Sequence, residues 1–400
     1  MSWAARLRYQ RSMVATIGLT GLRPAPARVA TLTAPPYDVI KKGSELEKLL
    51  AARPESLYHV TLGAEPAAAF ERLRREGLLV EDEEPAYYVY EQTWGEGPSQ
   101  EQRTGVFVAA EVTPYAQKQI IRHEKTFDDK VKGRIALGRA TGHTFGPVFA
   151  LTRAKVGAVL AKAKSEAPLY AFTTELKGLN DLHGIATRVW RVTEASPLGR
   201  EIQAILATQP FYIADGHHRY HASLLNPQTH ALVYVTEEAR IQAYDRVVNG
   251  VKTFAEVKGS LALEPVSAFA TPPKHVFALY TKEGAFHLRA KTVPSDVVGR
   301  LDCSILEREL YPHLGLTHSM IQDPAHFDYY PESQLDQMKA AVDGGEYDLA
   351  IALHPVSIDE LMAVADAGLS DPEIVMPEKS TFFAPKILSG LFVYRHVMKV

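Results

Sequence analysis

PFYIAD (210–215), GHHRYHASLL (216–225) and HALVYVTEE (230–238) are the stretches that decide the fold. The first reads as a short apolar strand, the second as a helix and the third as another strand. Strand, helix, strand within 210–238 predicts a βαβ unit in an α/β or α+β core. The first junction carries Asp215-Gly216-His217-His218-Arg219-Tyr220. Ligands of open α/β sheets collect at the carboxyl ends of strands. A helix N-terminus there offers unpaired N–H groups and a partial positive charge to an anion. Gly216 lets the backbone approach closely, and Arg219 suits a two-bond grip on phosphate. Asp215 suits capping, metal binding or activation of a nucleophile. The plainer reading makes Asp215 an N-cap and the histidines local packing groups. The concentration of polar groups directly after an apolar strand favours a site.

The same stretch has a metal reading, because His217 and His221 are four apart and share a helix face. His218 stands where an H-E-x-x-H metalloprotease carries its glutamate base, so that mechanism lacks its base and zinc is not expected.

Further out, AYYVYEQTW (86–94) and TGVFVAAEV (104–112) read as strands joined by a polar, Gly-containing loop. ATRVWRVTE (186–194) reads as another strand, while 66–79, 153–165 and DCSILEREL (302–310) read as helices. Ser357 with Glu360 forms a capping-box pattern ahead of an apolar helix face. TLTAPPYDVI (31–40) puts two prolines into a rigid turn. Proline and alanine punctuate 256–275, which predicts a core over 14–255 and a C-terminal α/β region over 256–400. Residues 1–37 contain five arginines and no acid; 1–13 is read as a basic extension, with a transit peptide as the alternative.

Composition narrows the function classes. With 400 residues, 46% hydrophobic and 23% charged, the chain has the balance of a globular protein. A net charge of −3 gives no bulk attraction to nucleic acid or anionic lipid, so neither partner is expected. The single cysteine, Cys303, excludes an internal disulfide and zinc sites built on several thiolates, and agrees with a cytoplasmic location. No apolar run approaches the ~20 residues that span a bilayer. Phosphate-loop, dinucleotide, serine-hydrolase and C-x-x-C motifs are all missing from the sequence.

Two more stretches carry chemistry. In Arg122-His123-Glu124-Lys125-Thr126, Glu124 is a candidate base or metal carboxylate beside basic residues that lower its pKa. Position 127 is Phe, so the second zinc histidine is missing, and residues 122–126 taken alone read as a charged turn. In the tail, read as two short strands around a loop, Lys379-Ser380-Thr381 and Lys386 suit phosphate oxygens, with a surface loop as the plainer reading.

Taken in order, Ala34–Ile40 (A-P-P-Y-D-V-I), Arg122–Thr126 (R-H-E-x-T), Asp215–Tyr220 (D-G-H-H-R-Y) and Met376–Lys386 (M-P-x-K-S-T-x-F-x-P-K) resemble the family named domain of unknown function 1015. One departure is visible. Relatives carry a Thr-His pair before an Arg-Val-Val-like segment, whereas Tyr244-Asp245 precede Arg246 here. More distantly, Asp215–Arg219 resembles the signature turn of the ParB/sulfiredoxin-like superfamily, which includes free-serine kinases. That likeness implies an α+β, ParB/sulfiredoxin-like core around the strand-turn-helix; the rest reads as a β-rich N-terminal part and an α/β C-terminal part, and lysines kept in an otherwise apolar tail predict that the tail returns to the site.

The resemblance implies a small-molecule kinase using ATP or ADP with Mg²⁺, with serine or a similar hydroxy acid as acceptor. Gly216, His217, His218, Arg219, Arg122, Lys379, Ser380, Thr381 and Lys386 would meet nucleotide or phosphate. Asp215, Glu124 and His123 would be catalytic, with Asp215 also the Mg²⁺ carboxylate. The alternatives are a nucleotide-binding regulator of ParB type and a His/Asp metal-dependent hydrolase.

Overall fold

The structure is a computed structural model that describes residues 14–126, 128–176 and 182–399, so the extension read over 1–13 lies outside the described residues. The chain divides into two units: one ends at Ala239 and resumes at Pro385, and the other is Arg240–Ala384. Both mix helices with sheets.

In the first unit, β-branched and aromatic runs make a nine-stranded sheet. Its strands are β1 (Thr16–Ile17), β2 (Ala86–Trp94), β3 (Glu101–Glu111), β4 (Ile120–Ile121), β5 (Val148–Thr152), β6 (Tyr170–Thr173), β7 (Ala186–Thr193), β8 (Phe211–Asp215) and β9 (His230–Thr236). The order is β4-β8-β5-β9-β3-β2-β7-β6, with β1 on β3. The expected strand pair 86–94 and 104–112 is the antiparallel hairpin β2–β3, pairing Tyr88 with Phe107.

Successive strand side chains face opposite ways, and each face of this sheet has its own chemistry. Tyr87, Val89, Val106, Val108, Val233 and Val235 point to one side and form an aliphatic core with Leu160, Ile202 and Leu206 of the covering helices. On the other side Tyr90 packs edge to face on Phe107 and Tyr234, Phe149 packs edge to face on Tyr234, and Phe107 lies tilted against Tyr234. Arg103 is buried there with its guanidinium 4.8 Å from the Phe149 ring.

The C-terminal tail crosses this aromatic face. Arg103 donates to the Pro385 carbonyl (2.6 Å), and Gln92 donates to the Lys386 carbonyl (3.1 Å). Backbone bonds in both directions between Ala34 and Ser389 tie the tail to the double-proline turn.

One expectation is corrected. The stretch 210–238 is strand, helix, strand, but not a parallel βαβ unit. Strand β5 lies between β8 and β9, antiparallel to β8 and parallel to β9, so β8 and β9 run in opposite directions. A strand from about sixty residues upstream takes the slot, which local sequence order does not reveal.

The second unit has a six-stranded sheet, antiparallel throughout. Its strands are β10 (Tyr244–Val248), β11 (Leu263–Val266), β12 (Val276–Thr281), β13 (Gly284–Arg289), β14 (Phe327–Pro331) and β15 (Leu349–Ala352), in the order β11-β13-β12-β15-β10-β14. Val247 and Ala350 of the sheet bury Met338 and Val342 of the helix Leu335–Gly344. The Ser357–Glu360 capping box forms at the start of Ile358–Gly368. Among the described residues no helix is long and apolar enough to cross a membrane.

Candidate functional site

Two parallel strand ends create the site. Strands β4 and β8 pair in parallel, Ile120 with Phe211 and Ile121 with Tyr212. Parallel neighbours end at the same sheet edge, so Arg122-His123-Glu124 and Asp215-Gly216-His217 emerge side by side. An irregularity in the β8–β5 register between Ile213 and Asp215 re-aims the last residue of the strand. The helix α1 (His217–Leu225) follows, with Gly216 as its N-cap at φ +95° and no side-chain cap. Tyr220 anchors this helix: its hydroxyl donates to the Thr113 carbonyl (2.8 Å) and accepts from the Thr113 N–H (2.9 Å).

The Asp215 carboxylate lies between two cations. Oδ1 accepts from Arg219 Nη2 at 3.0 Å, and Oδ2 accepts from Lys386 Nζ at 2.9 Å. Burial works to raise the Asp215 carboxyl, but the charges of Lys386 and Arg219 outweigh it and hold the group well below the usual carboxylate range. Lys386 reaches this position because the aromatic face of the sheet grips its backbone, as described above.

Next to this clamp is a histidine–carboxylate cluster. His217 Nδ1 is 3.5 Å from Glu124 Oε2, and the His123 and His217 rings meet edge to face at 4.5 Å. One ligand atom from each of His123, Glu124 and His217 lies within 4.8 Å of the others. Burial pushes His123 down to about 4, and burial with the neighbouring His123 pushes His217 well below its ordinary value. Both are therefore neutral imidazoles at pH 7, the form that accepts a proton or ligates a metal. His218 is pushed down to about 4 by burial and by Lys130.

The metal pairing read from helix spacing is not the one the fold makes. The His221 ring stacks on Tyr115 at 6.1 Å, and His217 instead meets His123 and Glu124. Arg122 lies over the Tyr115 ring at 5.0 Å. Lys379, Ser380 and Thr381 belong to the second unit. There the Lys379 ammonium lies over Tyr244 (5.2 Å) and Tyr329 (5.8 Å), and Ser380 Oγ accepts from Cys303 Sγ at 3.2 Å.

Sequence reasoning missed Tyr37 and Arg134 as site residues. Arg134 sits in Asp128–Thr141 with its guanidinium 3.8 Å from the Tyr37 ring centre. Both line an open cleft that Arg219 also enters. Tyr37 follows the two prolines of the rigid turn and was open to notice. Arg134 was not, because charges on all sides of that helix leave no face standing out.

The chain is similar to several solved structures. A free serine kinase in complex with AMP is 14% identical, with 72% of this chain and 92% of that chain covered at a TM-score of 0.37. A conserved hypothetical protein from Pyrococcus furiosus is 14% identical, with 74% and 95% covered at 0.37. SbnI with C-terminal truncation from Staphylococcus aureus is 13% identical, with 72% and 87% covered at 0.38. No curated protein matches the chain. A family model described as "Protein of unknown function (DUF1015)" matches residues 17–304, a span that contains the Tyr37 turn, the Arg122–Thr126 stretch and the Asp215–Tyr220 junction. That match covers most of the chain, which therefore belongs to the DUF1015 family.

Proposed function

We propose that this protein is a nucleotide-dependent phosphotransferase acting on a small hydroxyl metabolite. The observation that carries the reading is the Asp215 carboxylate, held ionised between Arg219 and Lys386 at a helix start entered through Gly216. Phosphoryl transfer demands positioning and charge stabilisation, which buried cations and helix N–H groups supply. Arg219, Lys386 and the N–H groups at the start of α1 bind the phosphates. Glu124 accepts the proton of the acceptor hydroxyl. The hydroxyl oxygen bonds to phosphorus as the bond from phosphorus to the nucleotide's leaving oxygen breaks. His217, 3.5 Å from Glu124, positions that carboxylate.

Each Asp215 oxygen already accepts one hydrogen bond and keeps a further lone pair. Asp215 therefore suits orienting the acceptor hydroxyl, or a Mg²⁺ ion that would neutralise charge on the phosphates. The acceptor panel begins with serine, on the resemblance of Asp215–Arg219 to the turn of free-serine kinases.

The test is turnover of ATP and ADP by the full chain with serine, threonine and glycerate, read by phosphorus NMR. A phosphorylated acceptor is expected. Glu124→Gln should lower kcat by roughly 10²–10⁴-fold, the usual range for a general base, with little change in nucleotide affinity. No transfer to any acceptor from either nucleotide would falsify the reading. The convergence of His123, Glu124 and His217 favours a second reading, a metal-dependent hydrolase. Stoichiometric zinc, manganese or iron in the purified protein, with hydrolysis and no transfer, would select it.

A further inference from the structure

The first unit contains an open cleft whose walls include Tyr37, Arg134, Gly146, Arg219, Gln228 and Ser389. Among the described residues its lining carries two guanidiniums and no carboxylate. Arg219 spends Nη2 on Asp215, while its Nε is buried without a hydrogen-bond partner among the described residues. Arg134 stacks on Tyr37 and forms no ion pair among the described residues, and its Nε is likewise buried and unpartnered. Burial lowers the Arg134 guanidinium, and the like charge of Arg219 lowers it further, against the attraction of Tyr37 and Asp38. Burial raises the Tyr37 hydroxyl, which stays a neutral donor at pH 7. Gly146 keeps one wall clear: a Cβ there would lie 3.0 Å from Ser389 Oγ and 3.7 Å from Arg219 Nη1.

Two guanidiniums with buried, unused N–H groups beside one cleft are costly unless an anion meets them. Planar forks of this kind match carboxylate and phosphate geometry. We propose that Arg134, Tyr37 and Arg219 form an oxyanion subsite in this cleft, one that takes the carboxylate or phosphate of a small-molecule ligand. The subsite shares Arg219 with the phosphate grip proposed above and adds Arg134 and Tyr37 to it; it asks only for binding and needs no turnover.

The experiment is titration calorimetry of the full chain with ADP, inorganic pyrophosphate, L-glycerate and, as a probe without an oxyanion, adenosine. Arg134→Gln should weaken at least one oxyanion probe by about ten-fold or more, the scale of one charge-assisted hydrogen bond, and leave adenosine unaffected. Arg134→Lys, which keeps the charge and loses the fork, should recover part of that loss. Loss confined to ADP and pyrophosphate assigns the subsite to phosphate, and loss confined to glycerate assigns it to a carboxylate.

Tyr37→Phe removes only a hydroxyl and should give a smaller loss in the same probe. Without ligand, Arg134→Gln should melt no lower than wild type, because it relieves a like-charge pair. The proposal is overturned if wild type binds no oxyanion probe, if Arg134→Gln binds every probe as wild type does, or if the ligand-free variant unfolds. These readouts involve no turnover, so a failure of phosphoryl transfer and a failure of the subsite give different results.

Discussion

Asp215 and Asp245 are both aspartates on strands, each with an arginine close in sequence, and their chemistry is opposite. Asp215, 16% exposed, ends β8 and is bonded by Arg219 and Lys386. Asp245, fully buried on β10 where it faces Tyr330 of β14, accepts one hydrogen bond, from the Leu353 N–H at 2.9 Å, and among the described residues its Oδ2 has no partner. Adjacent strand residues point to opposite faces. The Arg246 guanidinium therefore turns away to the Tyr311 hydroxyl (3.0 Å) and the Tyr244 carbonyl (2.7 Å). Four residues of helix bring Arg219 back onto Asp215, whereas one residue of strand takes Arg246 off Asp245. The first carboxyl is held ionised far below its usual range; burial, the largest influence on the second, pushes it up to about 8. An acid near a base in sequence becomes a charged site only when backbone geometry aims both at one point.

The largest effect is expected at Asp215. Removing one member of a buried ion pair leaves the others uncompensated, at a cost of about 3–5 kcal/mol. Asp215→Ala should lose stability on that scale in urea unfolding. Removing Lys386 as well, in Asp215→Ala with Lys386→Met, should restore part of it. The pH sign follows from the depressed folded-state pKa. The stabilisation is present above the ordinary value of 3.8 and is lost as pH falls below it. A loss under about 1 kcal/mol for Asp215→Ala, the scale of an exposed pair, would remove the contrast with Asp245.

How much of this was legible depended on whether the cause was local. The run 86–94 is a strand with the bounds its β-branched and aromatic residues predict, and the Ser357–Glu360 box caps its helix. The junction at Gly216 was readable because strand, glycine and polar helix start adjoin in sequence. The direction of β9 was not, because β5 enters between it and β8 from far upstream. His123 and Glu124 looked like a charged turn until the parallel pairing of β4 with β8 set them beside His217. Arg134 left no signal, since its partner Tyr37 lies almost a hundred residues earlier. The resemblance to the family pointed at Asp215 and Glu124 together; local periodicity did not.

The next effect concerns Asp245 and carries the opposite pH sign. Its folded-state pKa of about 8 lies above the unfolded value near 3.8. The native state therefore keeps the proton that the unfolded chain releases. The stabilisation is full below pH 3.8, declines as pH rises, and is exhausted once pH passes about 8. Asp245→Asn keeps the shape without the titration. Its stability relative to wild type should rise by roughly 2–4 kcal/mol between pH 5 and pH 8, at about 1.4 kcal/mol per pH unit. Chemical denaturation at several pH values reads this directly. Parallel wild-type and variant profiles would show that Asp245 ionises in the folded state, and the opposition to Asp215 would collapse.

The smallest effect tests what aims Arg219 at Asp215. Gly216 has φ +95°, and a Cβ there would lie 2.6 Å from Arg219 Nε. Two costs are superimposed at this position: the left-handed backbone, and a collision with the guanidinium that neutralises Asp215. Gly77, at φ +67°, has nothing within 4 Å of the added carbon and carries the backbone cost alone. Gly77→Ala should therefore lose about 1 kcal/mol, the usual left-handed penalty. Gly216→Ala should lose about 1–2 kcal/mol more, the cost of moving a charge-assisted hydrogen bond off its partner. The excess should vanish in an Asp215→Asn background, where Arg219 has no carboxylate to hold. Equal losses at Gly77 and Gly216 would mean that Arg219 steps aside freely. The bond from Arg219 would then be incidental, and Lys386 alone would account for the difference between the two aspartates.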